Sequence, residues 1–83
     1  MRIAVRYFAS LREALGSGES VDVAAGTSIG SLRDQLIERG GRFAEVLGRS
    51  RAVRSALDQT MRDESAVLHV DAEVAFFPPV TGG

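Results

Sequence analysis

The chain has 83 residues, of which 45% are hydrophobic and 25% charged, and its formal net charge is −1. This is the composition of one small globular domain, and it excludes a disordered or collagen-like chain. The balanced charge also argues against nucleic-acid binding driven by phosphate contacts. There is no cysteine, which excludes disulfides, thiol catalysis and thiolate metal sites.

The single histidine, His69, offers no cluster for a metal and is expected at the surface, with no metal site. No apolar run approaches the ~18 residues of a membrane span. The start, Met1-Arg2-Ile3-Ala4-Val5-Arg6, alternates and is not a signal-peptide block. A cytoplasmic location is therefore expected. A domain this small buries only roughly 60–65% of its unfolded surface, which leaves no room for an enclosed active site. Any chemistry belongs on the surface, at a chain end, or with a partner.

Residues 2–8 alternate with a period of two, Ile3, Val5 and Tyr7 on one face, and read as a first strand. Ser10 to Leu15 reads as a short helix with Leu11 and Leu15 at i,i+4, and Gly16-Ser17-Gly18 as a turn. Glu19 to Val23 alternates again and forms a second strand. Thr27 or Ser28 can cap a helix carrying Ile29, Leu32, Leu36 and Ile37, which Gly40-Gly41 stops. Phe43, Val46 and Leu47 form a short apolar turn. Arg51 to Leu57 reads as a third strand with Val53 and Leu57 facing one way, followed by a turn at Asp58-Gln59-Thr60. Residues 61–66 are polar and read as a loop or short edge strand; Val67 and Leu68 add a small apolar patch. Glu73 to Phe77 is the last strand. The order is β-β-α-(α)-β-β, an α+β fold with a mixed sheet on one main helix. The first and last strands are expected side by side and parallel at the sheet centre.

The end, Val74-Ala75-Phe76-Phe77-Pro78-Pro79-Val80-Thr81-Gly82-Gly83, divides in two. Pro78 cannot donate to a sheet ladder, so a domain is expected over residues 1–77 and a tail over 78–83. Pro78-Pro79 stiffens the exit. From Pro78 to Gly83 the tail reaches about 20 Å at ~3.3 Å per residue. Gly82-Gly83 can enter a channel too narrow for other residues and leaves a carboxylate free of neighbouring bulk. Activated as an acyl-adenylate, that carboxylate can accept sulfide and become a thiocarboxylate nucleophile. A Gly-Gly end alone is weak evidence, because such ends are common in frayed tails. Its rigid tether to a strand makes the whole run harder to dismiss.

This run resembles the C-terminal signature of the molybdopterin synthase small subunit, the sulfur carrier MoaD of the ubiquitin-like MoaD/ThiS family. Tyr7-Phe8-Ala9-Ser10-Leu11-Arg12-Glu13 and Ser28-Ile29-Gly30-Ser31-Leu32-Arg33 are similar to the family's first strand and helix start. Leu57-Asp58-Gln59-Thr60 stands where the family often has Val-Asn-Gln. The resemblance implies a ubiquitin-like β-grasp fold. It implies that Gly83 is adenylated with ATP by an E1-like (MoeB-like) enzyme and converted to a thiocarboxylate by a sulfur donor. No cofactor would be bound stably. Val80, Thr81 and Gly82 would thread into the large (MoaE-like) subunit of a heterotetramer. There two sulfur deliveries would convert cyclic pyranopterin monophosphate into the molybdopterin dithiolene. The carrier would not be an enzyme on its own, the catalytic groups being on the large subunit. Arg12-Glu13 would supply a partner salt bridge. Val70-Asp71-Ala72-Glu73 departs from the Gly-Asp turn the family often has before its last strand, which puts that loop's geometry in question.

Strand alternation suggests the docking face. If Ile3, Val5 and Tyr7 are core, Phe8 points outward; if Val74 and Phe76 are core, so does Phe77. Phe8, Phe77 and Met61 would then form an exposed apolar patch at the tail root, beside Pro78 and Pro79. Arg42, Arg49, Arg51 and Arg54 read as a solvated basic face balanced by Glu45. Two other readings stay open. One is a protein modifier conjugated through Gly83, for which this lysine-free chain could not be its own side-chain acceptor. The other is a sulfur carrier for thiamine, cysteine or tRNA thiolation, against which the Phe-Phe-Pro-Pro-Val-Thr run speaks.

Overall fold

A computed structural model describes residues 1–79; Val80, Thr81, Gly82 and Gly83 lie outside the described residues. The elements are β1 (Arg2–Tyr7), α1 (Ser10–Leu15), β2 (Gly18–Asp22), α2 (Ile29–Ile37), α3 (Gly41–Leu47), β3 (Arg54–Leu57), β4 (Thr60–Met61) and β5 (Glu73–Phe77). The five strands form one sheet in the order β2-β1-β5-β3-β4. β1 and β5 are parallel central neighbours, with Val5 opposite Val74 and Tyr7 opposite Phe76. The other pairings are antiparallel. This is the α+β, ubiquitin-like β-grasp arrangement.

The period-two pattern sets which sheet face is covered. Ile3, Val5 and Tyr7 on β1 and Val74 and Phe76 on β5 are at most 1% exposed. They meet Ile29, Leu32 and Leu36 of α2, the i, i+3, i+7 stripe of an amphipathic helix, together with Leu11 and Leu47. Ser28 caps α2, its hydroxyl accepting from the Ser31 N–H at 3.1 Å. Gly18 is required where β2 meets β1: a Cβ there would stand 2.4 Å from the Val5 carbonyl oxygen.

Several boundaries differ from the sequence reading. α2 ends at Ile37, and Gly40-Gly41 turns directly into α3, Gly40 taking φ 73°. The third strand starts at Arg54 and not at Arg51. Arg51 turns back, its N–H donating to the Gly48 carbonyl at 2.9 Å. β3 does not alternate either, since Ser55, Ala56 and Leu57 are all buried. Ser55 tolerates this because its hydroxyl donates to the Arg62 carbonyl at 2.9 Å. The turn after β3 is tighter than expected. Asp58 and Gln59 alone reverse the chain, both with positive φ, and Thr60 already belongs to β4. Before β5, Asp71 takes φ 61°, so an aspartate holds the left-handed position that a glycine would hold more easily. Of the pair Val67 and Leu68, only Val67 is exposed; Leu68 joins the core.

The least expected element is Arg33, which is 4% exposed. α3 leaves carbonyls without intrahelical partners at its C-terminal end. The Arg33 guanidinium meets that end, donating to the carbonyls of Leu47 at 2.7 Å and Gly48 at 2.9 Å, and also to the Arg51 carbonyl beyond it at 3.0 Å. Its remaining nitrogen binds Glu64 at 2.7 Å. Glu64 also holds Arg49, which reaches Asp34 at 2.8 Å as well. Arg49 is thus balanced by Asp34 and Glu64, not by Glu45. Burial pushes the Glu64 carboxyl up, but hydrogen bonds from Arg49 and Arg33 outweigh it and hold the group below the usual carboxylate range.

Candidate functional site

The site is assembled by the two central strands. Because β1 and β5 run parallel, both deliver their C-terminal ends to the same edge of the domain. Tyr7 and Phe76 point into the core there, so the next residues, Phe8 and Phe77, point to the opposite face. The Phe8 N–H donates to the Phe76 carbonyl at 3.1 Å and extends the ladder one step past β1. Phe8 is 41% exposed, with the Arg6 guanidinium 5.7 Å from its ring centre. Phe77 faces outward but is half-buried, as are Pro78 and Pro79 behind it.

Register brings Met61 to the same face. Met61 is opposite Ala56, and Ala56 is opposite Ala75. The next row holds Arg54 opposite Phe77. The alanines form a low floor, with Phe8 and Phe77 at its tail-root edge and Met61, 58% exposed, at the far strand. Three strand spacings separate β1 from β4, so the patch is about 14 Å wide. Phe8, Met61 and Phe77 therefore share one face of the sheet, and Pro78 and Pro79 follow Phe77 beyond the last paired residue.

On the covered face, the Tyr7 hydroxyl donates to Glu19 at 2.8 Å. Burial first, and then that carboxylate, push the phenol's pKa upward. His69 is exposed, with its Nε2 against the Asp58 carboxylate. Asp58 also accepts from the Glu73 N–H at 3.0 Å, and that bond and His69 lower its pKa. Contact with the Val70 carbonyl and with Asp58 raises that of His69. The pair ties the β3–β4 turn to the loop before β5 and lies away from the tail root. Among the described residues no group of three or more His, Asp or Glu side chains is placed to hold a metal ion, and no helix is long and apolar enough to cross a membrane.

The fold and this face define a small ubiquitin-like β-grasp domain with apolar side chains beside the end of its last strand. Residues 5–83 match the model of the ThiS family, and the chain belongs to that family. A curated relative, the molybdopterin synthase sulfur carrier subunit of Mycobacterium tuberculosis, is 38% identical, covering 100% of this chain and 99% of its own. Among solved structures, the putative molybdopterin converting factor subunit 1 of Pyrococcus furiosus superposes with a TM-score of 0.80 at 26% identity, covering 96% of this chain and 99% of that one. SAMP1 of Haloferax volcanii superposes at 0.79 and 25% identity, with full coverage of both.

Proposed function

We propose that the chain is the sulfur carrier subunit of a cytoplasmic molybdopterin synthase. The observation that carries this reading is the exit of central strand β5 through the apolar Phe8–Phe77–Met61 face into Pro78-Pro79 and a Gly-Gly end. Full-length similarity to a curated sulfur carrier supports it. An E1-like enzyme joins the Gly83 carboxylate to the adenylyl group of ATP, releasing pyrophosphate. Sulfide from a donor system displaces AMP and leaves a thiocarboxylate. The large subunit covers the apolar face, receives Val80, Thr81, Gly82 and Gly83, and supplies the catalytic groups. Two such deliveries convert cyclic pyranopterin monophosphate into the molybdopterin dithiolene. The domain itself is a protein-bound cosubstrate.

The test is intact mass after incubation with the host's adenylating enzyme, ATP and sulfide. Exchange of one oxygen for sulfur at the activated carboxylate adds about 16 Da. A chain ending at Gly82 is expected to support no molybdopterin formation. No mass change, or an adduct through Gly83 to a lysine of another protein, would replace this reading with that of an inert module or a modifier.

A further inference from the structure

Beside the patch, an open groove of about 370 Å³ follows the β3–β4 margin. Val53 and Met61 line it together with two basic residues, Arg54 and Arg62, and two acidic ones, Asp63 and Glu64. Of its two acids, Glu64 is already paired, while Asp63 keeps its charge and meets only neutral donors. Glu64 holds Arg33 and Arg49. Asp63 feels the Arg62 charge, but its Oδ1 accepts from the Ser65 N–H at 2.9 Å and from the Ser65 hydroxyl. Among the described residues neither Arg54 nor Arg62 forms a salt bridge.

The groove is continuous with the patch. Met61 belongs to both, and Arg54 is the register partner of Phe77. A protein that covers Phe77 and Met61 must therefore also cover Arg54 and take its charge out of water. A guanidinium covered without a counter-charge is strongly unfavourable. We propose that this groove receives an acidic side chain, Asp or Glu, from the protein that docks on the apolar face. Its carboxylate pairs with Arg54, and its methylenes lie on Met61. The inference rests on the carrier reading and adds the chemistry that the partner surface must present next to the tail entrance.

The test is calorimetric titration of the host's molybdopterin synthase large subunit with the wild-type chain, Arg54→Gln/Arg62→Gln, Phe77→Ala and Arg42→Gln. Circular dichroism checks that each variant is folded. The double variant is expected to raise Kd about 10–30-fold at about 50 mM salt, the ratio shrinking below about threefold at about 500 mM as screening removes the charge term. Arg42→Gln, on α3, is expected to leave Kd unchanged. If the double variant stays within about twofold of wild type while Phe77→Ala still weakens binding, the acidic-anchor proposal is overturned and the carrier reading stands. If the wild-type chain does not bind the large subunit at all, the carrier reading fails and takes the inference with it. The titration is repeated on chains ending at Pro79. If the arginine effect vanishes there, the two guanidiniums serve this chain's own terminus and the proposal is likewise overturned.

Discussion

Replacing Arg33 with Met removes the charge and keeps most of the side-chain length. It leaves the carbonyls of Leu47, Gly48 and Arg51 without their donor and strips Glu64 of one of its two arginines. A buried acceptor left unmatched costs about 1–3 kcal/mol, and Arg51 and Gly48 can recover part of this through water. Glu64 keeps Arg49, so the ionic part of the loss is partial. The expected total is about 3–4 kcal/mol. A domain of this length has a stability of roughly 4–12 kcal/mol. The variant should therefore melt about 15–25 °C lower. Urea unfolding followed by far-UV circular dichroism measures the loss directly. Arg33→Lys should fall between wild type and Met, because an ammonium cannot reach three carbonyls and a carboxylate together. A loss below about 1 kcal/mol for Arg33→Met would show that the α3 carbonyls do not depend on this clamp.

Gly18→Ala is expected to cost about 1–3 kcal/mol in a urea titration, because its Cβ would meet a backbone oxygen that can move only with β1. Phe77→Ala should weaken docking on the large subunit at least about tenfold while costing under about 2 kcal/mol of stability, since the ring is half-buried; a large fall in melting temperature with unchanged Kd would contradict this. The Asp58–His69 pair predicts a pH window. The Asp58 pKa is depressed on folding, so its contribution is present above the ordinary value of 3.8 and is lost as pH falls through the lower folded value. The His69 pKa is raised, so its contribution is complete below 6.5 and is lost as pH rises through the higher folded value. His69→Ala should remove the small decline in stability above pH 6.5. An unchanged pH profile would show that this exposed pair contributes nothing measurable.

The sequence alone determined whatever depends on short-range periodicity and side-chain chemistry. Ile3-Val5-Tyr7 and Val74-Phe76 dictate strands with one covered face, and Ser28 followed by Ile29, Leu32 and Leu36 dictates a capped amphipathic helix. The outward placement of Phe8 and Phe77 followed from the same alternation, and the strand stop at Pro78 from the missing N–H. Tertiary structure decided what depends on partners distant in the chain. A mid-helix arginine looks solvent-bound locally; Arg33 is buried because α3, fourteen residues on, ends with its carbonyls turned toward it. β3 loses its alternation, with Ser55, Ala56 and Leu57 all buried, and Ser55 can be buried because the Arg62 carbonyl, seven residues on, accepts its hydroxyl. Met61 reaches the face of Phe8 and Phe77 only through the register set by the Asp58-Gln59 turn, and a one-residue shift there would have turned it to the other side. Arg54 stands beside Phe77 for a similar reason: its charge is plain in the sequence, but its place there belongs to the sheet.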